Sequence, residues 1–204
     1  MVFPPRGDKR GGTIMKTICL YFEIHQIIHL KRYRFFDIGT DHYYYDDYEN
    51  ERSISDIAER SYMPALTAIG DMIAEHGKYF KVAFSLSGTG IEQLEYHAPH
   101  VIAKLQELAQ TGCVEFLAEP YSHGLSSLAN EETFALDVKK QCAKIEELFG
   151  QKPTVARNSS LSTATTLAHR LPLWALRVCS PRVPSTCWAG SRRTMSTTAT
   201  SLRT

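Results

Sequence analysis

Several features that define other classes of protein are missing from this sequence. It has no apolar run of about 18 residues or more, so no membrane-spanning helix is predicted. Its five cysteines contain no Cys-x-x-Cys pair, which argues against a disulfide mini-protein. The first 14 residues lack the apolar core of a secretory signal. These absences predict a cytoplasmic protein with reduced thiols.

Neither sign of charge dominates the whole chain, but acidic residues are missing from its last part. There are 23 Lys+Arg and 22 Asp+Glu, and a formal net charge of +1 argues against a nucleic-acid partner. Residues 1–14 carry three bases and one acid, residues 15–160 carry 14 and 21, and residues 161–204 carry six and none. The three segments are therefore +2, −7 and +6, and the last acid is Glu147.

This uneven distribution predicts three pieces: a disordered, non-native leader (1–14), a folded domain (15–160) and an aberrant tail (161–204). The tail has 15 Ser+Thr in 44 residues and no regular hydrophobic period. The genetic code offers an explanation for this composition. The codons of Thr are ACN, and read one base earlier they become NAC, which encodes Tyr, His, Asn or Asp. A Thr-rich tail without acids is therefore what a segment with Asp and Tyr becomes after a shift of one base. We therefore expect a frameshift near residue 161.

The middle segment alternates strand and helix patterns. Amphipathic periodicity predicts a helix from Ser53 or Ser55 to His76, broken by Pro64, and two more over 91–110 and 130–149. A long polar and aromatic loop is predicted over 26–52. The predicted strands are residues 17–24, 79–86, 113–118 and 154–156. This order predicts an α/β fold with a parallel sheet, either open or closed into a barrel.

In both architectures ligands bind beyond the carboxyl ends of the strands. That rule selects polar residues at four strand ends: Glu23 and His25, Ser85 and Ser87, Glu115 and Glu119, and residues 157–160. His123 follows Glu119 in the third of these loops.

Three of these residues allow more than one interpretation. Glu23 and His25 suit hydrogen bonding to sugar hydroxyls, a metal site shared with His29 or His42, or an ordinary polar strand end. Strand alternation turns Glu115 away from the helices, either to line a ligand site or to form a buried ion pair with Arg157.

The loop over 26–52 is rich in aromatic and acidic side chains. It contains five tyrosines and two phenylalanines next to four aspartates (Tyr33, Phe35, Phe36, Tyr43, Tyr44, Tyr45, Tyr48; Asp37, Asp41, Asp46, Asp47). Aromatic faces beside carboxylates can bind pyranose rings, but a self-packed loop or a protein interface has the same composition.

The residues from Met15 to Ser160 resemble the N-terminal catalytic region of glycoside hydrolase family 57. The resemblance is carried by His25-Gln26 after the first strand, by Gly112-Cys113-Val114-Glu115, and by the loop from Glu119 to His123. It implies the N-terminal part of a seven-stranded (β/α) barrel, incomplete here and followed by an irregular tail. It also implies an α-amylase-type retaining glycosidase whose partner is α-glucan or maltooligosaccharide, with no cofactor and no metal.

The resemblance implies sugar-binding roles for Glu23, His25, Glu115, Glu119, His123 and Arg157. The catalytic Glu of the family is expected at the end of strand four, where this chain has Ser159 and Ser160. A serine cannot form the glycosyl ester that a carboxylate forms. We therefore expect an inactive chain. The alternatives are a non-catalytic α-glucan-binding barrel and a metal-dependent barrel of the polysaccharide deacetylase type.

Overall fold

The computed structural model describes residues 20–40, 42–159, 177 and 178. The helices are α1 (Asp47–Ile57), α2 (Met63–His76), α3 (Gly88–His97), α4 (Pro99–Gln110), α5 (Ser126–Ala129) and α6 (Glu131–Phe149). The strands are β1 (Leu20–Ile24), β2 (Val82–Leu86), β3 (Val114–Leu117), β4 (Val155–Ala156) and β5 (Arg177–Val178). The predicted leader lies outside the described residues, and so does the predicted tail apart from β5.

The strands are parallel and follow chain order, as the alternating pattern predicts. β2 pairs with β1 on one side and β3 on the other, and β4 pairs with β5. A parallel bridge from Ala118 to Ala156 links the two sheets, with Ala118 N–H donating to Val155 O at 2.8 Å and Arg157 N–H to Ala118 O at 2.7 Å. β5 differs from expectation, since no strand was predicted beyond residue 161.

The sheet has one face against the helices and one face away from them. On the helix side, Phe84 and Phe116 pack with buried aliphatic residues of the helices. On the other side, Ala83, Leu117 and Val155 form a separate small apolar cluster. β2 is buried along its whole length, which explains its continuous apolar run, whereas β1 is largely exposed.

The first helix begins earlier than the pattern predicts. Asp46, rather than Ser53 or Ser55, is its N-cap, because the Asp46 carboxylate accepts a hydrogen bond from Glu49 N–H at 3.1 Å. The acids Asp47 and Glu49 in the first turn suit the positive end of the helix dipole. The preceding loop is correspondingly shorter than the predicted 26–52.

Two prolines divide the helices. Pro64 lies in the first turn of α2 after a wide π-helical turn (Ala58–Tyr62), which confirms the predicted break. The single helix predicted over 91–110 is instead two, because Ala98 leaves the helical region at φ −143° before Pro99 starts α4. α3 also starts earlier, at Gly88, with Ser87 Oγ accepting from Gly90 N–H at 3.0 Å.

The last helix matches its prediction. Asn130 caps α6 by accepting from Thr133 N–H at 3.1 Å, and Gly150 ends it in the left-handed conformation at φ 65°. In the part of the chain that the structure describes, no helix is long and apolar enough to cross a membrane.

Leu105 on α4 tests the helix-side core. Its side chain is fully buried, so Leu105→Ala should lower the free energy of unfolding by about 2–5 kcal/mol through lost burial and a residual cavity. The matched control is Leu136→Ala on the exposed face of α6, expected within about 0.5 kcal/mol of wild type. Urea denaturation measures both, and equal losses would contradict this packing.

Candidate functional site

Three strand ends bring distant residues into one polar cluster. Glu23 comes from β1, Glu119 and His123 from the loop after β3, and Arg157 from the end of β4. The register places Glu23 beside Ser85 and Leu117 on the face opposite the helices. The cluster therefore lies above the small apolar cluster, at the carboxyl edge of the sheet.

Arg157 is the centre of this cluster. Its guanidinium donates to both oxygens of Glu23 at 2.7 Å each and to Glu119 Oε2 at 3.2 Å. The side chains of Arg157 and Glu119 are buried, at 2% and 0% exposed, whereas that of Glu23 is 31% exposed. Burial lowers the pKa of Arg157, but the hydrogen bond and charge of Glu23 outweigh burial and raise it. The bidentate fork fixes the Glu23 carboxylate in one orientation.

Glu119 is fixed by neutral partners as well. Ser85 Oγ donates to Glu119 Oε2 at 2.8 Å, and the backbone N–H of Glu119 donates to Gln141 Oε1 at 3.3 Å. The amide of Gln141 also donates to Leu86 O at 2.9 Å and Leu117 O at 3.3 Å. Gln141 thereby satisfies backbone groups just beyond the sheet edge.

Sequence reasoning missed Gln141, although a signal existed. The buried stripe of α6 is Phe134, Val138, Gln141 and Ile145, which follow one another at helical spacing. A glutamine inside such an apolar stripe indicates a buried polar partner, because an unpaired amide there would be costly.

Two imidazoles cover the charged cluster. The rings of His25 and His123 stack at 4.0 Å between centroids with an interplanar angle of 16°. His123 Nε2 lies 3.4 Å from Glu23 Oε1, and His25 Nδ1 lies 2.7 Å from Ser87 Oγ. Burial lowers the pKa of His25, and the neighbouring His123 lowers it further, against the opposing effect of Glu119 and Glu23.

The loop that carries His123 is held by a tyrosine. His123 itself has a left-handed backbone, at φ 51°. The buried ring of Tyr121 lies on Gly88, where an added Cβ would come within 2.2 Å of the ring. The Tyr121 hydroxyl donates to Glu92, and the ammonium of Lys140 lies 3.6 Å from the ring centroid. Gly88 is therefore the residue that allows this close packing.

Glu115 is not brought into the cluster. It lies opposite Ala83, on the same sheet face as Glu23 but one pleat nearer the amino ends of the strands. Its Oε1 is 3.4 Å from Thr154 Oγ1, and Arg157 pairs with Glu23 and Glu119 instead. Strand alternation correctly predicts that Glu115 faces away from the helices. Only the strand register shows that Glu115 lies level with Tyr21, two residues before Glu23, and therefore outside the polar cluster.

Ser159 is buried rather than available for chemistry. Its Oγ donates to Gly124 O at 2.9 Å, and the side chain has no exposed surface. Its neighbour Asn158 donates to Ser127 Oγ at 3.1 Å. These two hydrogen bonds connect the end of β4 to the loop after β3 and to the short helix α5. Ser159 therefore has the structural role of a turn residue. Ser160 lies outside the described residues.

One group in the described part of the chain has the donors for a metal ion. Ligand atoms of Glu23, Glu119 and His123 lie within 4.8 Å of one another. The histidines considered from sequence, His25, His29 and His42, are outside this group. The guanidinium of Arg157 already supplies a positive charge to both carboxylates. The absence of a metal therefore stays a prediction.

Removing Arg157 should destabilise the fold. Arg157→Met leaves two carboxylates without their cation, and loss of one partner from a buried ion pair costs about 3–5 kcal/mol. The control is Arg60→Met in the π-helical turn between α1 and α2. Arg60 pairs with Asp56 on the exposed surface, and such a pair contributes about 1 kcal/mol or less to stability. Unfolding free energies from urea denaturation at neutral pH test the contrast, and similar losses for both variants would argue against a structural role.

The stability should depend on pH through His25. Because the pKa of His25 in the folded chain is below 6.5, the ordinary value of a histidine side chain, the unfolded chain binds more protons. The stabilisation from neutral His25 is present above pH 6.5 and is lost as pH falls through the folded pKa. His25→Gln should flatten this decrease. An NMR titration of His25 with a midpoint at or above 6.5 would refute the assignment.

The fold and sequence match known proteins. The sequence profile of glycosyl hydrolase family 57 matches residues 19–171, which extends 11 residues past the predicted boundary at 160. A protein from Methanocaldococcus jannaschii described as "Putative alpha-amylase" is 34% identical over 119 residues, covering 58% of this chain and 25% of that protein.

Two solved structures share the fold. The 4-alpha-glucanotransferase from Thermococcus litoralis has a TM-score of 0.55 at 17% identity, covering 64% of this chain and 20% of that one. The alpha-amylase AmyC from Thermotoga maritima has a TM-score of 0.53 at 10% identity, covering 78% and 38%. The chain thus spans between one fifth and two fifths of the length of these relatives. With the profile matched over most of its length, the chain belongs to glycosyl hydrolase family 57.

Proposed function

We propose that this domain binds α-glucan or maltooligosaccharide at the cluster around Arg157, as part of α-glucan metabolism. The observation that supports this proposal most is the position of Glu23, which is 31% exposed although both of its oxygens accept from Arg157. Each carboxylate oxygen has two acceptor positions, so Glu23 can accept further bonds from sugar hydroxyls. Glu119 is fully buried and acts through Arg157 rather than by contact.

The stacked histidines add to this chemistry. His123 is 14% exposed on its side chain, and both imidazoles lie beside Glu23. A neutral imidazole offers one donor and one acceptor nitrogen, which suits hydrogen bonding to sugar hydroxyls. The family membership and the α-amylase and glucanotransferase relatives support α-glucan as the ligand class.

The cluster is organised before any ligand binds. Arg157 fixes Glu23, while Ser85 and Gln141 fix Glu119. Side chains that are already ordered lose less conformational entropy on binding, which increases affinity for a given set of contacts.

Glu23 should therefore matter for sugar binding while Glu115 should not. Glu23→Gln removes a charged acceptor, and we expect it to weaken maltotriose binding about tenfold. The matched control is Glu115→Gln, one pleat lower on the same sheet face, with wild-type affinity expected. Isothermal titration calorimetry measures both, after circular dichroism has confirmed that each variant is folded. Equal affinities for the two variants would contradict the proposed site.

We further propose that this chain binds without hydrolysis. The retaining mechanism of the family requires two carboxyls about 5–5.5 Å apart on either side of the glycosidic bond. At the end of β4 the chain has Ser159, whose hydroxyl is buried and bonded to Gly124 O. Glu23 is hindered as a nucleophile, because both of its oxygens accept from the guanidinium fork. These observations support the proposal that this chain, a partial family 57 protein, binds α-glucan without hydrolysing it.

The purified chain should release no reducing sugar from starch or maltooligosaccharides. Ser159→Ala should leave this result unchanged, because Ser159 is expected to have a structural role only. A reducing-end assay detects even slow hydrolysis. Release above the level of a heat-denatured sample would overturn the proposal that the chain is inactive.

We also propose that the chain shifts out of frame near residue 161, since residues 161–204 contain no acidic residue, although the family profile matches as far as residue 171. The nucleotide sequence across codons 155–170 tests this proposal. An alternative frame that continues as an open α/β sequence would support it, and early stop codons would refute it. Cytoplasmic location stays part of the proposal, and the free thiols of Cys113 and Cys142 are compatible with it.

A further inference from the structure

The aromatic loop after β1 contains a short antiparallel ribbon. Lys31 N–H donates to Tyr44 O at 2.9 Å, and Leu30 bridges Tyr45 in antiparallel orientation. At the base, the buried Asn50 accepts from His29 N–H at 2.7 Å and donates to His29 O at 3.2 Å. These bonds hold the ribbon in a defined conformation without help from a large apolar core.

Alternation along the ribbon separates its tyrosines onto two faces. Side chains two residues apart share a face of an extended segment. Tyr43 and Tyr45 accordingly meet edge to face, at 5.7 Å between centroids and 77°. Tyr44 turns to the other face, where its ring lies 5.0 Å from that of Tyr33 with a tilt of 32°.

The two faces differ in what already contacts their rings. The Tyr43 hydroxyl donates to Asp47 Oδ1 at 2.5 Å, which raises the pKa of Tyr43 to about 12, and the ammonium of Lys31 lies 4.7 Å from its ring centroid. On the opposite face Tyr44 is 47% exposed, close to the 49% of Tyr43, and its ring packs on the ring of Tyr33. The Tyr33 hydroxyl is held by Tyr43 O at 3.1 Å.

The ribbon follows directly on the candidate site. His25 belongs to the site, and the next carbonyls along the chain, Gln26 O and Ile27 O, both accept from Gln93 Nε2 at 3.2 and 3.1 Å. Gln93 is a buried residue of α3. These bonds fix the start of the ribbon next to His25, at the edge of the candidate site.

We propose that Tyr33 and Tyr44 form a second carbohydrate-binding surface, which holds an α-glucan chain outside the Arg157 cluster. This inference rests on the proposed function. The apolar C–H face of a pyranose stacks on an aromatic ring. The phenolic hydroxyls of the tyrosines remain at the solvent-exposed edge of the rings, where the sugar hydroxyls also lie. Tyr33 packs on Tyr44 at 5.0 Å between centroids and supports its ring, which remains partly exposed for stacking on a sugar unit. A short oligosaccharide occupies the Arg157 cluster alone, whereas a long polysaccharide contacts both.

Long and short ligands therefore separate the two sites. Tyr44→Ala should weaken retention in a glycogen-containing native gel about two- to tenfold, while its affinity for maltotriose stays within about twofold of wild type. Tyr44→Phe retains the ring and should retain glycogen binding, which distinguishes stacking from a loss of fold. The matched control is Tyr79→Ala, because Tyr79 is 85% exposed but lies before β2 at the opposite edge of the sheet.

Each outcome decides a different claim. Normal glycogen retention by Tyr44→Ala, or equal weakening by Tyr79→Ala, would overturn the aromatic surface and leave the proposed function intact. A wild-type chain that binds neither maltotriose nor glycogen would refute the proposed function itself, and the aromatic surface with it. Weakened glycogen retention by Tyr44→Ala alone, with Tyr44→Phe like wild type, would establish the surface.

Discussion

The ion cluster of Arg157 with Glu23 and Glu119 is the interaction on which the functional end of this molecule depends. Burying the charges of Arg157 and Glu119 costs several kcal/mol per ion, and the cost is offset only when each charge meets its partner in good geometry. Here the guanidinium meets both oxygens of Glu23 and one of Glu119. Because these residues come from three different strands, the cluster forms only when the parallel sheet has its native register.

The same cluster sets the chemistry of the site. Arg157 leaves Glu23 fixed and partly exposed, which suits the recognition of hydroxyls rather than covalent attack on a sugar. The stacked histidines lie on this charged base, and the loop that carries His123 is held by Tyr121 against Gly88. The residues of this candidate site are thus themselves held in position by a further set of buried contacts.

Local signals in the sequence predict a helix well where a single capping residue marks its start and a glycine marks its end. Asn130 and Gly150 define α6, and Gly77 ends α2, since capping and positive φ are properties of single residues. These local signals fail where two residues could cap the same helix, as Asp46 and Ser53 could for α1. They also fail where a proline divides a continuous apolar stripe into two helices, as Pro99 does. In both cases the choice is made by packing, which overrides weak local preferences.

The sequence by itself determined the α/β class, because strand order is encoded locally, and its short motifs indicated the family. It also placed the polar candidates at the carboxyl ends of the strands, with Glu23, His25, Glu119, His123 and Arg157 among them. Only the tertiary structure decided that Arg157 joins Glu23 and Glu119 while Glu115 lies one pleat below, and that Gln141 supports the loop. Register and side-chain pairing across 134 residues are long-range properties, which no local pattern contains.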